Sequence, residues 1–420
     1  MELKPGYKQT EVGVIPEDWD IRSLKDLCKE EITYGIVQCG PHVPGGIPYI
    51  RVSDMDGPIL DREKMLRTSY QIASRFRRSE VRHGDIVYAL RGRLGDVRPV
   101  PLDLDGANLT QGTARLSPSS RVHSPFLLWA LRNPEVVLRA CAESKGTTFM
   151  EITLADLRQI KIALPPEPEQ LRIASTLSDI EDHLMALDRE LAKKRNIKQA
   201  AMQELLTGKR RLPGFEGEWE VKRLGDHVRF LKNGVNSRAE LYLGACVRYL
   251  HYGDIHASSG SFLSPQDLTG LPVDKATGLD RLQDGDLIFA DASEDIAGVS
   301  RSVELCGTSD LEAVSGLHTI AARFDKAILA DGFKGFLQYV PSFSKQLRRL
   351  AAGTKVYATS RAHISSAEVQ LPPVAEQKAI AEVLMDMSNE IGVLRERMNK
   401  ACSTKQGMMQ QLLTGKIRLT

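Results

Sequence analysis

No stretch of this sequence approaches the roughly 18 uninterrupted apolar residues needed to cross a bilayer, which argues against a helical membrane span. The start, Met1-Glu2-Leu3-Lys4-Pro5-Gly6, offers no apolar core for a signal peptide, so a cytoplasmic location is expected. The six cysteines (Cys28, Cys39, Cys141, Cys246, Cys306 and Cys402) include no Cys-x-x-Cys pair. They read as reduced, mostly buried thiols, and they assemble no metal site at usual ligand spacings. A large excess of either charge is also missing: 56 Lys and Arg face 54 Asp and Glu, for a net charge of +2. Such a balance permits nucleic-acid binding without demanding it, so any basic surface must be local or completed by a partner.

Catalytic signatures are lacking as well. There is no Gly-x-x-x-x-Gly-Lys-Ser/Thr phosphate loop for ATP. An adenine methyltransferase would place Asp or Asn before Pro-Pro-aromatic, but here Leu164 and Leu371 precede the prolines, and Glu167 and Val374 follow. Asp61 and Glu63 beside Lys64 read as an exposed charged turn, not a nuclease motif, and no Ser–His–Asp or Cys–His set emerges. The chain is expected to be non-catalytic.

What the sequence does contain is a duplication. Aligned at a constant offset of 207, residues 146–212 and 353–419 are identical at 25 of 67 positions without a gap. Leu164-Pro165-Pro166 matches Leu371-Pro372-Pro373, and Glu169-Gln170 with Ile173-Ala174 matches Glu376-Gln377 with Ile380-Ala381. Leu205-Leu206-Thr207-Gly208-Lys209 matches Leu412-Leu413-Thr414-Gly415-Lys416. Upstream, Asp18-Trp19-Asp20-Ile21 resembles Glu218-Trp219-Glu220-Val221, Tyr49-Ile50 and Asp54 face Tyr249-Leu250 and Asp254, and Gly84-Asp85-Ile86-Val87 faces Gly285-Asp286-Leu287-Ile288. Between these anchors the copies diverge: two equivalent scaffolds carry two different working surfaces.

After each Pro-Pro pair, apolar residues step 4, 3, 4, 3, 4: Ile173, Leu177, Ile180, Leu184, Leu187, Leu191, then Ile380, Leu384, Met387, Ile391, Leu394, Met398. This is a coiled-coil seam. A single such stripe would usually pack on its own domain core; two matched narrow stripes favour helices packed on each other, antiparallel and related by a pseudo-twofold. Roughly 38 residues at about 1.5 Å each would make a rod of about 57 Å. The domains expected are 1–165 and 213–372, both mixed α/β, alternating with spacer helices 166–212 and 373–420. Strands are predicted at Tyr49–Val52, Ile86–Leu90, Ala114–Leu116 and Ile160–Leu164, then Arg248–His251, Leu287–Ala290, Thr319–Phe324 and Val369–Leu371. Helices are predicted over Phe126–Arg132 and around Phe333–Leu350.

In the first domain seven arginines (75, 77, 78, 82, 91, 93 and 98) fall within 24 residues. Arg51, Arg77, Arg78, Arg91 and Arg93 are candidates for phosphate or guanine contacts, since the guanidinium fork suits both; an ordinary solvated face is the alternative. The matching loop of the second domain, residues 290–295, is acidic; it reads either as an acceptor for cytosine N4 or as a structural turn. That domain offers Lys232, Asn233, Asn236, Arg238, His251, Tyr252 and His318 instead. Thr147 and Thr148 in the first copy, with Thr354, Lys355 and Tyr357 in the second, form Gly-Thr loops that could hold phosphate or simply turn the chain.

The repeated Leu-Pro-Pro-x-x-Glu-Gln-x-x-Ile-Ala-x-x-Leu and Leu-Leu-Thr-Gly-Lys segments, with the Ile15-Pro16-Glu17-Asp18-Trp19 opening, resemble the conserved regions of type I restriction–modification specificity subunits. The resemblance covers nearly the whole chain. It implies that each variable domain reads one half of a split, asymmetric sequence in double-stranded DNA. The paired helices would act as a ruler and dock two modification subunits, alongside restriction subunits. S-adenosylmethionine, ATP and Mg would belong to those partners, with no cofactor here. Glu169, Gln170, Ile173, Leu177, Leu184, Glu376, Gln377, Ile380, Leu384 and Ile391 would belong to the scaffold and its docking surface. The rival from another class is a two-headed adaptor that binds proteins only, supported by the near-neutral charge.

Overall fold

Both long helices form, Glu167–Leu205 and Val374–Leu412, each of 39 residues. They are seen in a computed structural model that describes residues 4–144, 150–242, 244–258, 260–309, 311–351 and 357–420. Proline starts each helix, because its ring blocks the preceding turn while its carbonyl still accepts hydrogen bonds. The N–H groups of Glu169 and Gln170 donate to Pro166 O, and those of Glu376 and Gln377 donate to Pro373 O.

The contact pattern divides the chain into two units, residues 1–188 with 396–420, and residues 189–395. The sequence boundaries, which set the helices apart as spacers, differ from this division. Helix ends are core material for the globular parts, so the units cut through both helices. In the first unit Ile173, Ala174 and Leu177 share one buried cluster with Met409, Leu412, Leu413, Trp19 and Trp129. In the second, Ile380, Ala381 and Leu384 share theirs with Leu205, Leu206, Phe289 and Phe343. Within each unit the helices run antiparallel. Glu169 meets Arg418 and Glu181 meets Lys405 in the first; Lys194 meets Glu390 and Arg211 meets Glu376 in the second.

The first unit carries a four-stranded antiparallel sheet in the order Thr33–Tyr34, Thr113–Leu116, Ile86–Ala89, Val97–Pro99. Beside it lies a three-stranded sheet in which Ile47–Ile50 runs parallel to Asn108–Leu109. The second unit repeats this plan with five and three strands; there Val247–Leu250 runs parallel to Ala313–Ser315. In both, the strand entering the long helix closes on the first strand after the tryptophan: Lys161–Leu164 on Asp20–Ser23, and Glu368–Leu371 on Glu220–Arg223.

Two expectations change. Phe333–Leu350 is not one helix but a 3₁₀ segment, Lys334–Tyr339, followed by a helix Pro341–Leu350; Pro341 restarts the chain at its first turn because it cannot continue the preceding one. The cysteines are not mostly buried: Cys28, Cys39 and Cys141 are half-buried, and Cys246, Cys306 and Cys402 are exposed. Asp61 caps the turn Arg62–Lys64 and pairs with Lys64, as a surface turn should.

Glycine ends the helical segments for a steric reason. Gly208 and Gly415 sit at φ +68° and +69°, and a Cβ on Gly415 would lie 2.5 Å from the Pro16 ring. Gly415→Ala should therefore cost about 1–3 kcal/mol, more if Pro16 cannot yield. Gly407, inside the second helix with open space around it, should instead gain about 1 kcal/mol as alanine. Thermal unfolding of the two variants should shift in opposite directions.

Candidate nucleic-acid interface

The parallel strand pairs end in the same backbone frame in both units. In the first, Thr110 N donates to Ile50 O, the Thr113 hydroxyl donates to Thr110 O, and Thr113 pairs with Ala89. Leu90 N then donates to Gly112 O at 2.9 Å, Ile152 N donates to Leu90 O, and Arg91 bridges to Glu151. In the second, Gly316 N donates to Leu250 O, the Thr319 hydroxyl donates to Gly316 O, and Thr319 pairs with Ala290. Asp291 N donates to His318 O at 3.1 Å, Thr359 N donates to Asp291 O, and Ala292 pairs with Ala358. Three loops thus converge at one strand end, bond for bond.

The side chains on this frame differ. Arg51 follows the parallel strand and grips Asp54 through Nε (3.1 Å) and Nη2 (2.7 Å), which holds its guanidinium firmly protonated. In the second unit that position is His251, whose backbone N–H reaches Asp254 as that of Arg51 reaches Asp54. The cation on Asp254 arrives from elsewhere: Arg238, at 2.7 Å. The His251 ring is buried; burial and the nearby Arg238 lower its pKa, and Nδ1 accepts the Gly253 N–H. Little of that ring is free to meet a ligand.

Arg91 is exposed and forms no ion pair among the described residues, whereas Arg93 pairs with Asp56 and Asp96. Arg77 and Arg78 are exposed on a 3₁₀ segment, Ser74–Ser79, that packs beside Asn108–Leu109. Lys232 is exposed, but Asn236 donates to Glu240. The Glu240 carboxyl also binds Lys275, which pulls its pKa down to about 2. Tyr252 sits among three imidazoles: His251 at 4.5 Å between centroids, His256 at 6.1 Å and His318 at 5.5 Å, the last edge-on at 87°. Tyr357 lies on the strand that pairs with Ala292–Ser293. Thr147, Thr148, Thr354 and Lys355 lie outside the described residues.

Two further polar groups at these loops escaped the sequence reading. Gln111 is exposed within the turn before Thr113. Arg361 donates to Leu231 O at 2.9 Å and to Asn233 Oδ1, with its guanidinium over Phe230. Neither belongs to a motif, and the first copy has Leu154 where Arg361 stands.

The scaffold residues turn inward. The Glu169 carboxylate accepts from Trp19 Nε1 (3.0 Å), from Arg418 Nε and Nη2, and from Leu419 N. Gln170 accepts the His123 N–H and donates to Pro165 O. Glu376 takes Arg211, while Gln377 accepts from Ala330 N and donates to Ile328 O and Pro372 O. Ile173, Leu177, Ile380 and Leu384 are buried, and Leu184 and Ile391 are half-covered.

Comparison with known proteins agrees with this architecture. Residues 16–198 match the family described as type I restriction modification DNA specificity domain. The chain is 26% identical to the putative type I restriction enzyme MjaX specificity subunit of Methanocaldococcus jannaschii, over 98% of this chain and 97% of that one. The MjaVIII specificity subunit of the same organism is also 26% identical, over 96% of this chain and 94% of its own. The fold is shared with the crystal structure of the type I restriction–modification S subunit from M. genitalium, at a TM-score of 0.60, 14% identity and 98% coverage of both chains. Residues 16–198 thus resemble a type I DNA specificity domain, and nearly the whole chain is similar to specificity subunits of type I restriction–modification systems.

Proposed function

We propose that this chain is the sequence-reading subunit of a type I restriction–modification enzyme, each unit reading one half of a split, asymmetric target in double-stranded DNA. One observation carries the reading: two units present the same strand-end frame, and different side chains stand on it. Duplicated frames suit two readings of one kind of polymer, and different side chains suit two different sequences. The chain contributes recognition, not catalysis. Two modification subunits would supply methyl transfer from S-adenosylmethionine to adenine, and restriction subunits would supply ATP- and Mg-dependent cleavage, in the cytoplasm. No helix among the described residues is long and apolar enough to cross a membrane.

The test is selection from randomised duplexes by the chain assembled with its modification subunit. A two-part motif is expected, with retention that weakens steeply with salt, because phosphate contacts release counterions. Exchanging residues 213–372 for those of another specificity subunit should rewrite one half of the motif and leave the other unchanged. The purified chain alone should transfer no methyl groups. An assembled complex without sequence preference would refute the proposal and leave a protein-binding adaptor.

A further inference from the structure

The strand-end frame contains one spot that both units fill, by different routes. In the first unit the residue before Thr113 is Gly112, and a Cβ there would lie 2.8 Å from Arg91 Nε and 3.2 Å from Val52. The arginine from the neighbouring loop therefore lies across the glycine. In the second unit the residue matching Arg91 is Ala292, too short to cover the turn, and the residue matching Gly112 is His318. His318 is the one non-glycine residue at positive φ (+56°) among the described residues. A side chain in that backbone region is uncommon and costs conformational energy, which persists where the surroundings enforce it. Here His318 Nδ1 lies 3.2 Å from Asp291 Oδ1, and Tyr252 buttresses the ring edge-on. Half of the side chain remains exposed.

We infer that Arg91 and His318 occupy one equivalent reading position, and that the two units read DNA there with opposite hydrogen-bond polarity. This rests on the DNA-reading function proposed above. Arg91 is only a donor, and its fork fits acceptors such as guanine O6 and N7. His318 differs because of its partner. An ionised carboxylate only accepts, so in the neutral ring Nδ1 carries the proton toward Asp291 and Nε2 keeps its lone pair. Nε2 has no partner among the described residues. An outward lone pair selects an amino group, adenine N6 or cytosine N4, in the major groove. The first half-site should thus contain a guanine that depends on Arg91, and the second an adenine or cytosine that depends on His318.

The experiment uses the chain assembled with its modification subunit, with randomised duplexes as the probe. His318→Gly relieves the backbone strain and should fold at least as well as the parent by thermal unfolding. It should lose tenfold or more of its discrimination at one amino-bearing base of one half-site, leaving the other half intact. His318→Asn, which tolerates this backbone region, should fold and show altered preference at that same base. Arg91→Ala should lose tenfold or more at a guanine of the opposite half-site. Folded variants that keep parental preferences in both halves would overturn the inference while leaving the DNA-reading function standing. A parental complex that selects no motif would instead refute that function. Preferences lost at a base of the wrong polarity would overturn the assignment of donor and acceptor.

Discussion

Replacing Glu169 by alanine should lower the unfolding midpoint of the first unit by on the order of 10 °C. The carboxylate is buried, and it accepts from Trp19 Nε1, from two Arg418 nitrogens and from the Leu419 N–H. Its removal strands the indole N–H inside the core and leaves Arg418 with Asp18 alone. Breaking a buried pair from one side costs about 3–5 kcal/mol. A unit of this size loses roughly 2–4 °C per kcal/mol. The matching substitution Glu376→Ala should do less. Among the described residues Trp219 Nε1 has no hydrogen bond to lose, and the Arg211 pair is the contact of Glu376 that disappears. Differential scanning calorimetry of both variants makes the comparison, and equal shifts would show that the indole hydrogen bond contributes nothing.

Glu304 should contribute about 2–3 kcal/mol of added stability to the second unit as pH falls from 7.5 to 5, at 1.36 kcal/mol per pKa unit. Glu304 lies on the strand Ser302–Leu305 with its side chain buried. Burial pushes its carboxyl up to about 7, although the N–H groups of Gly332 and Gly335, along with Lys334, pull the other way. A carboxyl with a raised folded pKa binds its proton more tightly in the native state. Stability is therefore greatest below the unfolded value, falls as pH rises between that value and about 7, and levels off above it. Asp18 and Glu240 are shifted downward by their cationic partners, so their contributions have the opposite sign. Those contributions are lost only as pH drops below the ordinary carboxylate range, outside this window, whereas His251, its pKa lowered by burial, takes stability away as pH falls through the ordinary imidazole range and offsets part of the gain. Native-state hydrogen exchange can follow the second unit by itself. Glu304→Gln should flatten its profile between pH 5 and 7.5, and an unchanged slope would mean that another group carries it.

The duplicated helices were legible because their signals are local and repeated: a Pro-Pro start, a heptad seam and a Gly stop, each written twice. Several strands were legible to within two residues, since Ile86–Ala89 and Thr319–Phe324 are apolar runs in a polar context. What was hidden depends on partners distant in sequence. The hairpin Tyr7–Thr10 with Gly13–Pro16 carries no apolar alternation, and it is fixed partly by the Tyr7 hydroxyl donating to Gly415 O. The arginine-rich stretch looked uniform, yet Arg82, Arg93 and Arg98 are engaged by Glu80, Asp56 and Asp96, while Arg91 stays open. Glu80 and Asp96 lie within the stretch itself and Asp56 on another loop, so which arginine is available depends on how the chain folds around each guanidinium. His251 and His318 looked alike as candidates, but one ring is buried and the other half-exposed. Only backbone geometry separates them.

The way the first unit is completed sets an order in time. Its core includes Met409, Leu412 and Leu413, and its buried carboxylate waits for Arg418, so a ribosome must pass residue 418 before that unit can close. Residues 1–188 emerge long before those groups exist. Met202, Leu205, Leu206 and Arg211, their identical counterparts in the first copy, emerge directly behind them. During synthesis the nascent first unit therefore has a look-alike segment within reach before residues 409–418, which complete it, have been made.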